Sequence, residues 1–175
     1  VLFLAFVDAA VFQHNQLPWS QVDSEFNRRV HGNTPVDFSG PVGEDHPALA
    51  ANGPARGTLN NCGTGKTPWG TFLTGEENWF GYFTRGAADD AARGNDKSVA
   101  ALKRYGRNQG AASRHGWETG GAEDKYQRWN NSKTGASANG SDDYRNEMNA
   151  QGFIVEIDPY NKARKAKKRT GLGRF

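Results

Sequence analysis

Apolar residues along this chain come in short bursts separated by long polar stretches, a pattern that predicts short strands joined by loops. Residues 1–7 (VLFLAFV) form an unbroken apolar run, as expected of a strand buried on both faces. Further strands are predicted at residues 19–22, around residues 25–30, and at residues 36–38, where Val36 and Phe38 flank Asp37. Residues 13–18 read as a polar connector, Asn33-Thr34-Pro35 as a turn, and residues 40–56, rich in Gly, Pro, Ala and acids, as a surface loop. Two more strand-like runs centre on Thr58-Leu59 and on residues 71–74, with a turn at residues 66–70 between them, and residues 79–83 continue as an aromatic-rich edge. One helix is predicted over residues 96–105, capped by Asp96, with Val99, Leu102 and Tyr105 on a shared face. Gly116-Trp117 and residues 126–129 are expected to touch the core. The clearest strand is residues 152–159 (GFIVEIDP), whose alternation puts Phe153, Val155 and Ile157 on one face and Ile154 and Glu156 on the other. The expected fold class is all-β, and the pattern is compatible with either a propeller or a sandwich.

Composition changes this picture in two ways. At 175 residues the chain has the length of one domain, yet its apolar fraction is 35%, its mean hydropathy is −0.82 and it holds 22 glycines. Residues 86–150 account for much of this, mixing Gly, Ala, Asn and Ser with charges of both signs. They are expected to form a polar, loop-rich insertion, exposed over residues 130–143. The chain starts on Val1 without an initiator methionine and stops within motif-like text at Leu172-Gly173-Arg174-Phe175, so it is expected to be a fragment of a larger domain. Its formal charge of +3 is uneven. Lys162, Arg164, Lys165, Lys167, Lys168, Arg169 and Arg174 crowd the end, and the remainder is slightly acidic. With no aromatics interleaved, this run predicts a solvated loop between strands rather than a nucleic-acid surface. The opening apolar run lacks a basic start and a small-residue cleavage site and is too short to span a membrane.

The chemistry concentrates in residues 57–83, GTLNNCGTGKTPWGTFLTGEENWFGYF. Its Gly-Lys-Thr at Gly65, Lys66 and Thr67 is not a P-loop, because Asn60 stands where the leading glycine belongs and Pro68-Trp69-Gly70 follow instead of a helix. Cys62 is the only cysteine, which excludes an internal disulfide and any cysteine-rich zinc site. It leaves a buried apolar spectator, a nucleophile, or one thiolate in a mixed metal site. The four histidines, His14, His31, His46 and His115, lie in connectors and carry no signature. Glu76 and Glu77, as strand neighbours, point to opposite faces, so at most one joins Cys62. Such carboxylates suit hard cations such as calcium. Glu156, inside an apolar run, needs a partner, a cation or a metal.

The central stretch resembles the hallmark of the PhoX family of alkaline phosphatases, with its Gly-Thr-Leu-Asn-Asn-Cys, Thr-Pro-Trp-Gly-Thr and Glu-Glu-Asn elements. Residues 27–35 (NRRVHGNTP), 152–159 (GFIVEIDP) and 172–175 (LGRF) are similar to flanking family segments in the same order, so the resemblance spans roughly residues 20–175. Gly75 stands where relatives often carry a second cysteine, and the family's His-Glu pair and Asn-His-Glu segment are not in this sequence. The resemblance implies a partial β-propeller of short antiparallel strands, with residues 1–175 part of one propeller domain and 86–150 inserted between blade strands. It implies a metal-dependent phosphomonoesterase that releases phosphate from small organic esters, with iron (Fe3+) and calcium (Ca2+) in its site. Cys62 is then a thiolate ligand to iron, Glu77 and Glu156 are carboxylate ligands of the cluster, and Arg174 lies in a family motif without an assigned role. It also implies twin-arginine export, a periplasmic or secreted location and a monomeric parent protein. Two other readings are a non-catalytic propeller serving as a binding module, and a calcium-dependent propeller hydrolase such as a lactonase, which has no use for a thiolate.

Overall fold

The computed structural model describes residues 28–40 and 55–173. The strands expected at residues 1–7 and 19–22, the loop at 41–54, His14, His46 and Arg174 lie outside the described residues. Five strands form one mixed sheet: β1 (Val36–Phe38), β2 (Asn61–Lys66), β3 (Phe72–Glu76), β4 (Phe153–Ile157) and β5 (Ala166–Gly171), in the order β1-β5-β4-β3-β2. From β2 to β5 every neighbour is antiparallel, so these four make an up-and-down meander, and β1 lies parallel to β5 at one edge. Sheet is the main regular structure. The helices are short: α1 (Asp89–Ala92), α2 (Lys97–Arg104) and α3 (Asp124–Gln127), with single turns of 3-10 helix at Trp79–Tyr82, Trp117–Thr119 and Glu147–Ala150.

Residue chemistry accounts for these elements. β3 and β4 are rich in β-branched and aromatic residues that fit a pleated surface. The β2–β3 hairpin closes where Thr71 O accepts from Thr67 N at 2.9 Å, with Gly70 at φ +90°. Asp96 caps α2 by accepting from Ser98 N at 2.8 Å, and Val99 and Leu102 are buried on its inner face, as the periodicity predicts. The strand at 36–38 also forms where expected, and so does the turn at 66–70.

Other expectations are corrected. Thr58 and Leu59 are buried but not strand; the strand starts at Asn61, because the glycine-rich text pairs with β3 as an exposed edge. Residues 79–83 are not a sheet edge but a buried 3-10 turn, set by the left-handed Asn78 at φ 48°. Residues 28–30, part of a predicted strand, are irregular, and Arg28 donates to the carbonyls of Asp158 (3.0 Å) and Asn161 (3.2 Å). The basic run is half loop and half strand: β5 buries Ala166 and Lys168, whereas residues 162–165 are exposed. Residues 130–143, read as exposed, include buried Asn131, Ser132 and Asp143.

The core has two parts. Val30, Val36, Ala55, Val155, Ile157 and Ala166 cover one region of the sheet, joined by Phe38 and Phe72. Leu59, Trp79, Tyr82, Phe83, Leu102, Trp129 and Met148 form the second, beneath the long β3–β4 connection. That connection has too few apolar residues to fold on burial alone, and ion pairs order it. Arg85, fully buried, donates to Asp89 and Asp90 at 2.5 Å each and to the Arg107 carbonyl at 3.0 Å. Arg93 shares Asp89 at 2.8 Å, and Arg145 is paired with Asp143 at 2.7 Å. Arg128 ties the connection back to the start of the described chain, donating to Gly32 O (2.7 Å), Asn33 Oδ1 (2.9 Å), Arg56 O (3.2 Å) and Glu147. Buried charges are tolerated because each is paired and hydrogen-bonded.

Candidate metal centre

Two features of the β2–β3 pair bring Cys62 and Glu77 together. Asn60 adopts the left-handed conformation at φ 49°, which asparagine tolerates better than most residues. From there its carbonyl accepts from Glu77 N (3.1 Å) while its Nδ2 donates to Glu77 O (2.7 Å). The register then shifts between Asn61 and Thr64, so Cys62 sits in an irregularity of the ladder, the kind of place that re-aims a side chain. At the end of β3 the two glutamates part as alternation requires. Glu76 turns inward and is fully buried, accepting from Lys168 Nζ (2.8 Å), Gly152 N (2.7 Å) and Phe153 N (3.0 Å). Glu77 comes within electrostatic reach of the Cys62 thiol, and Asn78 Nδ2 steadies Glu77 Oε1 at 3.1 Å.

The electrostatics of this pair keep the thiol protonated beside the carboxylate. The hydrogen bond to Glu77, then burial and the Glu77 charge, all push the Cys62 thiol up from its ordinary value. Cys62 and Glu77 would together offer a cation a thiolate and a carboxylate, and a cation there would favour the deprotonated thiol. Cys62 is exposed, hence open to a ligand, and a soft sulfur beside a hard oxygen suits a transition ion in a mixed site. The pair fits two positions of such a centre. Among the described residues no group of three or more His, Cys, Asp and Glu side chains gathers around one point.

Glu156 is held elsewhere. It lies opposite Leu73 on β3, four residues before Glu77, which puts it roughly 13 Å away along the strand direction at about 3.3 Å per residue. Its carboxylate accepts from Thr71 Oγ1 (2.6 Å), Trp69 Nε1 (2.9 Å) and Arg169. Burial opposes its charge, but the bonds from Thr71, Trp69 and Arg169 and the Arg169 charge outweigh it, lowering the carboxyl to about 2. The charge inside an apolar run therefore has protein partners in this structure.

Three residues near the pair were not legible in the sequence. The Tyr82 hydroxyl donates to Asn60 Oδ1 at 3.4 Å and lies within electrostatic reach of both Cys62 and Arg114. His115 packs on Tyr82 at 4.6 Å between ring centroids, and its pKa is lowered by burial and by Arg114. Arg114 and His115 come from a stretch with no periodicity, more than fifty residues beyond Cys62, and no local signal marks them.

The sequence matches the family described as alkaline phosphatase PhoX over residues 7–175. Among solved structures the chain is similar to PhoX of Pseudomonas fluorescens in complex with vanadate, a transition state analogue, at 36% identity and a TM-score of 0.63. The likeness covers 87% of this chain and 23% of that one, so the chain spans about a quarter of that protein's length. No curated protein matches.

Proposed function

Because the chain belongs to the PhoX family of alkaline phosphatases, we propose that it contributes part of the active site of a metal-dependent phosphomonoesterase, with Cys62 and Glu77 as two of the metal ligands. The observation that carries this reading is the double clamp of Asn60 on the Glu77 backbone, which brings the Glu77 carboxylate within electrostatic reach of the Cys62 thiol, at the positions where the family hallmark places its ligands. The fold we infer is a partial β-propeller. The antiparallel meander β2-β3-β4-β5 has the strand number and connectivity of one propeller blade, with the β3–β4 connection as its insertion.

Iron at Cys62 and calcium at carboxylates, when bound, neutralise the phosphate oxygens and stabilise the charge of an in-line displacement. The chain's own residues prepare that site. Asn60 clamps the Glu77 backbone and Asn78 orients its carboxylate. Glu156 is the third proposed ligand; the hydrogen bonds that lower it to about 2 keep it anionic, and it would hold a metal only in place of its bonds from Thr71 and Arg169. The proposed substrates are small phosphate esters, and no nucleic-acid partner is invoked. The proposed setting is periplasmic or secreted with a monomeric parent protein; among the described residues no helix is long and apolar enough to cross a membrane.

The test pairs metal analysis with turnover. The whole protein is expected to hydrolyse p-nitrophenyl phosphate at alkaline pH with iron and calcium bound, and Cys62→Ala is expected to lose iron and activity together. Full iron content and rate in Cys62→Ala would overturn the ligand assignment. Metal binding without any hydrolysis would favour the binding-module reading.

A further inference from the structure

Around Tyr82, whose hydroxyl bonds to Asn60 next to the Cys62–Glu77 pair, the structure leaves several polar groups without partners. The buried arginines of the β3–β4 connection, Arg85, Arg93, Arg128 and Arg145, are each spent on carboxylates, and Arg107 on the carbonyls of Phe80 and Phe83. Arg114 differs. Among the described residues no hydrogen bond or ion pair engages its guanidinium, which is exposed and lies flat against Gly81, where an added Cβ would stand 3.4–3.5 Å from it. Its backbone fixes it there, with Arg114 N donating to Gly81 O at 2.7 Å. Next to it the rings of His115 and Trp117 stack at 5.4 Å and both pack on Tyr82, yet His115 Nε2 and Trp117 Nε1 are buried with no partner, as is Asn61 Nδ2 beside Cys62. Unpartnered buried polar groups of this kind cost on the order of 1–3 kcal/mol each, and these cluster around Tyr82, beside the exposed Arg114 guanidinium.

We propose that Arg114, seated on Gly81 with His115 and Tyr82 beside the Cys62–Glu77 pair, is the chain's own binding group for a tetrahedral oxyanion, namely the phosphoryl group of the ester and inorganic phosphate. A guanidinium offers a planar fork that matches phosphate oxygens two at a time, and these charge-assisted bonds are the strong ones. Because Arg114 is not neutralised by Glu77, its charge remains available to an anion. The identity of the anion rests on the phosphomonoesterase reading; the existence of an anion site at Arg114 does not.

The experiment titrates inorganic phosphate onto the protein, with and without bound metal, and follows the Arg114 side-chain Nε–H resonance, assigned by its loss in Arg114→Ala. Saturable binding is expected, with affinity at least tenfold weaker in Arg114→Ala and partly restored in Arg114→Lys. With p-nitrophenyl phosphate, Arg114→Ala is expected to raise KM about tenfold at unchanged iron content. Exposure of Arg114 makes a folding defect easy to separate, since the far-ultraviolet circular dichroism of the variant is expected to match the parent. Phosphate binding unchanged in Arg114→Ala, or no phosphate binding to the parent, overturns the proposal while leaving the iron assignment of Cys62 standing. Phosphate bound at Arg114 without iron or hydrolysis keeps the anion site and removes the phosphatase reading.

Discussion

Glu76 and Glu77 are chemically identical neighbours whose roles divide entirely on which side of β3 each faces. Glu76 is buried against Lys168, whose amine also donates to Gln151 Oε1 at 3.1 Å and to the Ala150 carbonyl. Burial lowers the Lys168 pKa, and Glu76 pulls it back up. Lys168→Met leaves a buried carboxylate without its cation, and about 3–5 kcal/mol of stability is expected to go, with Lys168→Met/Glu76→Gln recovering part of it; urea denaturation checks both. Asp143 gives the pH counterpart. Burial opposes its charge, but Arg145 and the backbone N–H groups of Gly135, Arg145 and Thr134 lower its carboxyl to about 2. A carboxyl depressed in the folded state stabilises above its unfolded pKa and ceases to do so as pH falls through the folded one. Asp143 therefore contributes on the order of 2 kcal/mol at neutral pH that fades between about pH 4 and pH 2. In Asp143→Asn the decline of the melting temperature over that interval is expected to be shallower. Glu156→Gln tests the proposed ligand role: a ligand loses metal content, whereas a purely structural carboxylate loses melting temperature with metal retained.

At the scale of elements, local rules hold best where a segment stabilises itself. Helix α2 has its cap, its buried face and, in Lys103 and Arg104, basic residues in its last turn, so Asp96→Ala is expected to lower stability by about 1 kcal/mol, read from the thermal midpoint. Gly57 shows the opposite dependence. It has φ +89°, and a Cβ there would collide with the Gly32 carbonyl oxygen, so the approach of two distant segments requires glycine. Gly57→Ala is expected to destabilise well beyond the usual cost of a left-handed alanine, and a drop in the urea midpoint larger than that of Asp96→Ala would show it. β5 marks the limit of pattern reading. Its alternating basic residues read as a solvated loop, yet pairing with β4 and β1 drives Ala166 and Lys168 inward and leaves Lys167 and Arg169 half-exposed.

At the scale of the molecule, a sheet supplies the frame and a polar connection of low apolar content is fastened to it by buried arginines. Arg128 is the main fastening, since it reaches residues 32, 33 and 56 from the far side of the chain. Removing it strands Glu147 and three carbonyl or amide oxygens at once. Arg128→Ala is expected to loosen the whole connection, visible as lost hydrogen-exchange protection across residues 84–150 while β3 and β4 stay protected.

The sequence by itself determined the elements whose signals are local: the strands at Val36–Phe38, Phe72–Glu76 and Phe153–Ile157, the capped helix α2, the turn at the tip of the β2–β3 hairpin and the absence of a P-loop. It also determined the family, through a motif long enough to be specific. The tertiary structure alone decided what depends on distant partners. That includes the inward path of β5, the 3-10 turn at Trp79–Tyr82, the ion-pair core under the β3–β4 connection, and the protein partners of Glu156. Residues 57–83 stand between these cases. Their text named Cys62 and Glu77, but the two come within electrostatic reach because Asn60 turns left-handed and the ladder slips at Cys62, and Arg114 approaches this end of the sheet only through its seat on Gly81. Hydrophobic period and turn chemistry act over a few residues, whereas Asn60 meets Glu77, and Arg114 meets Gly81, only through the sheet and the turn that follows it.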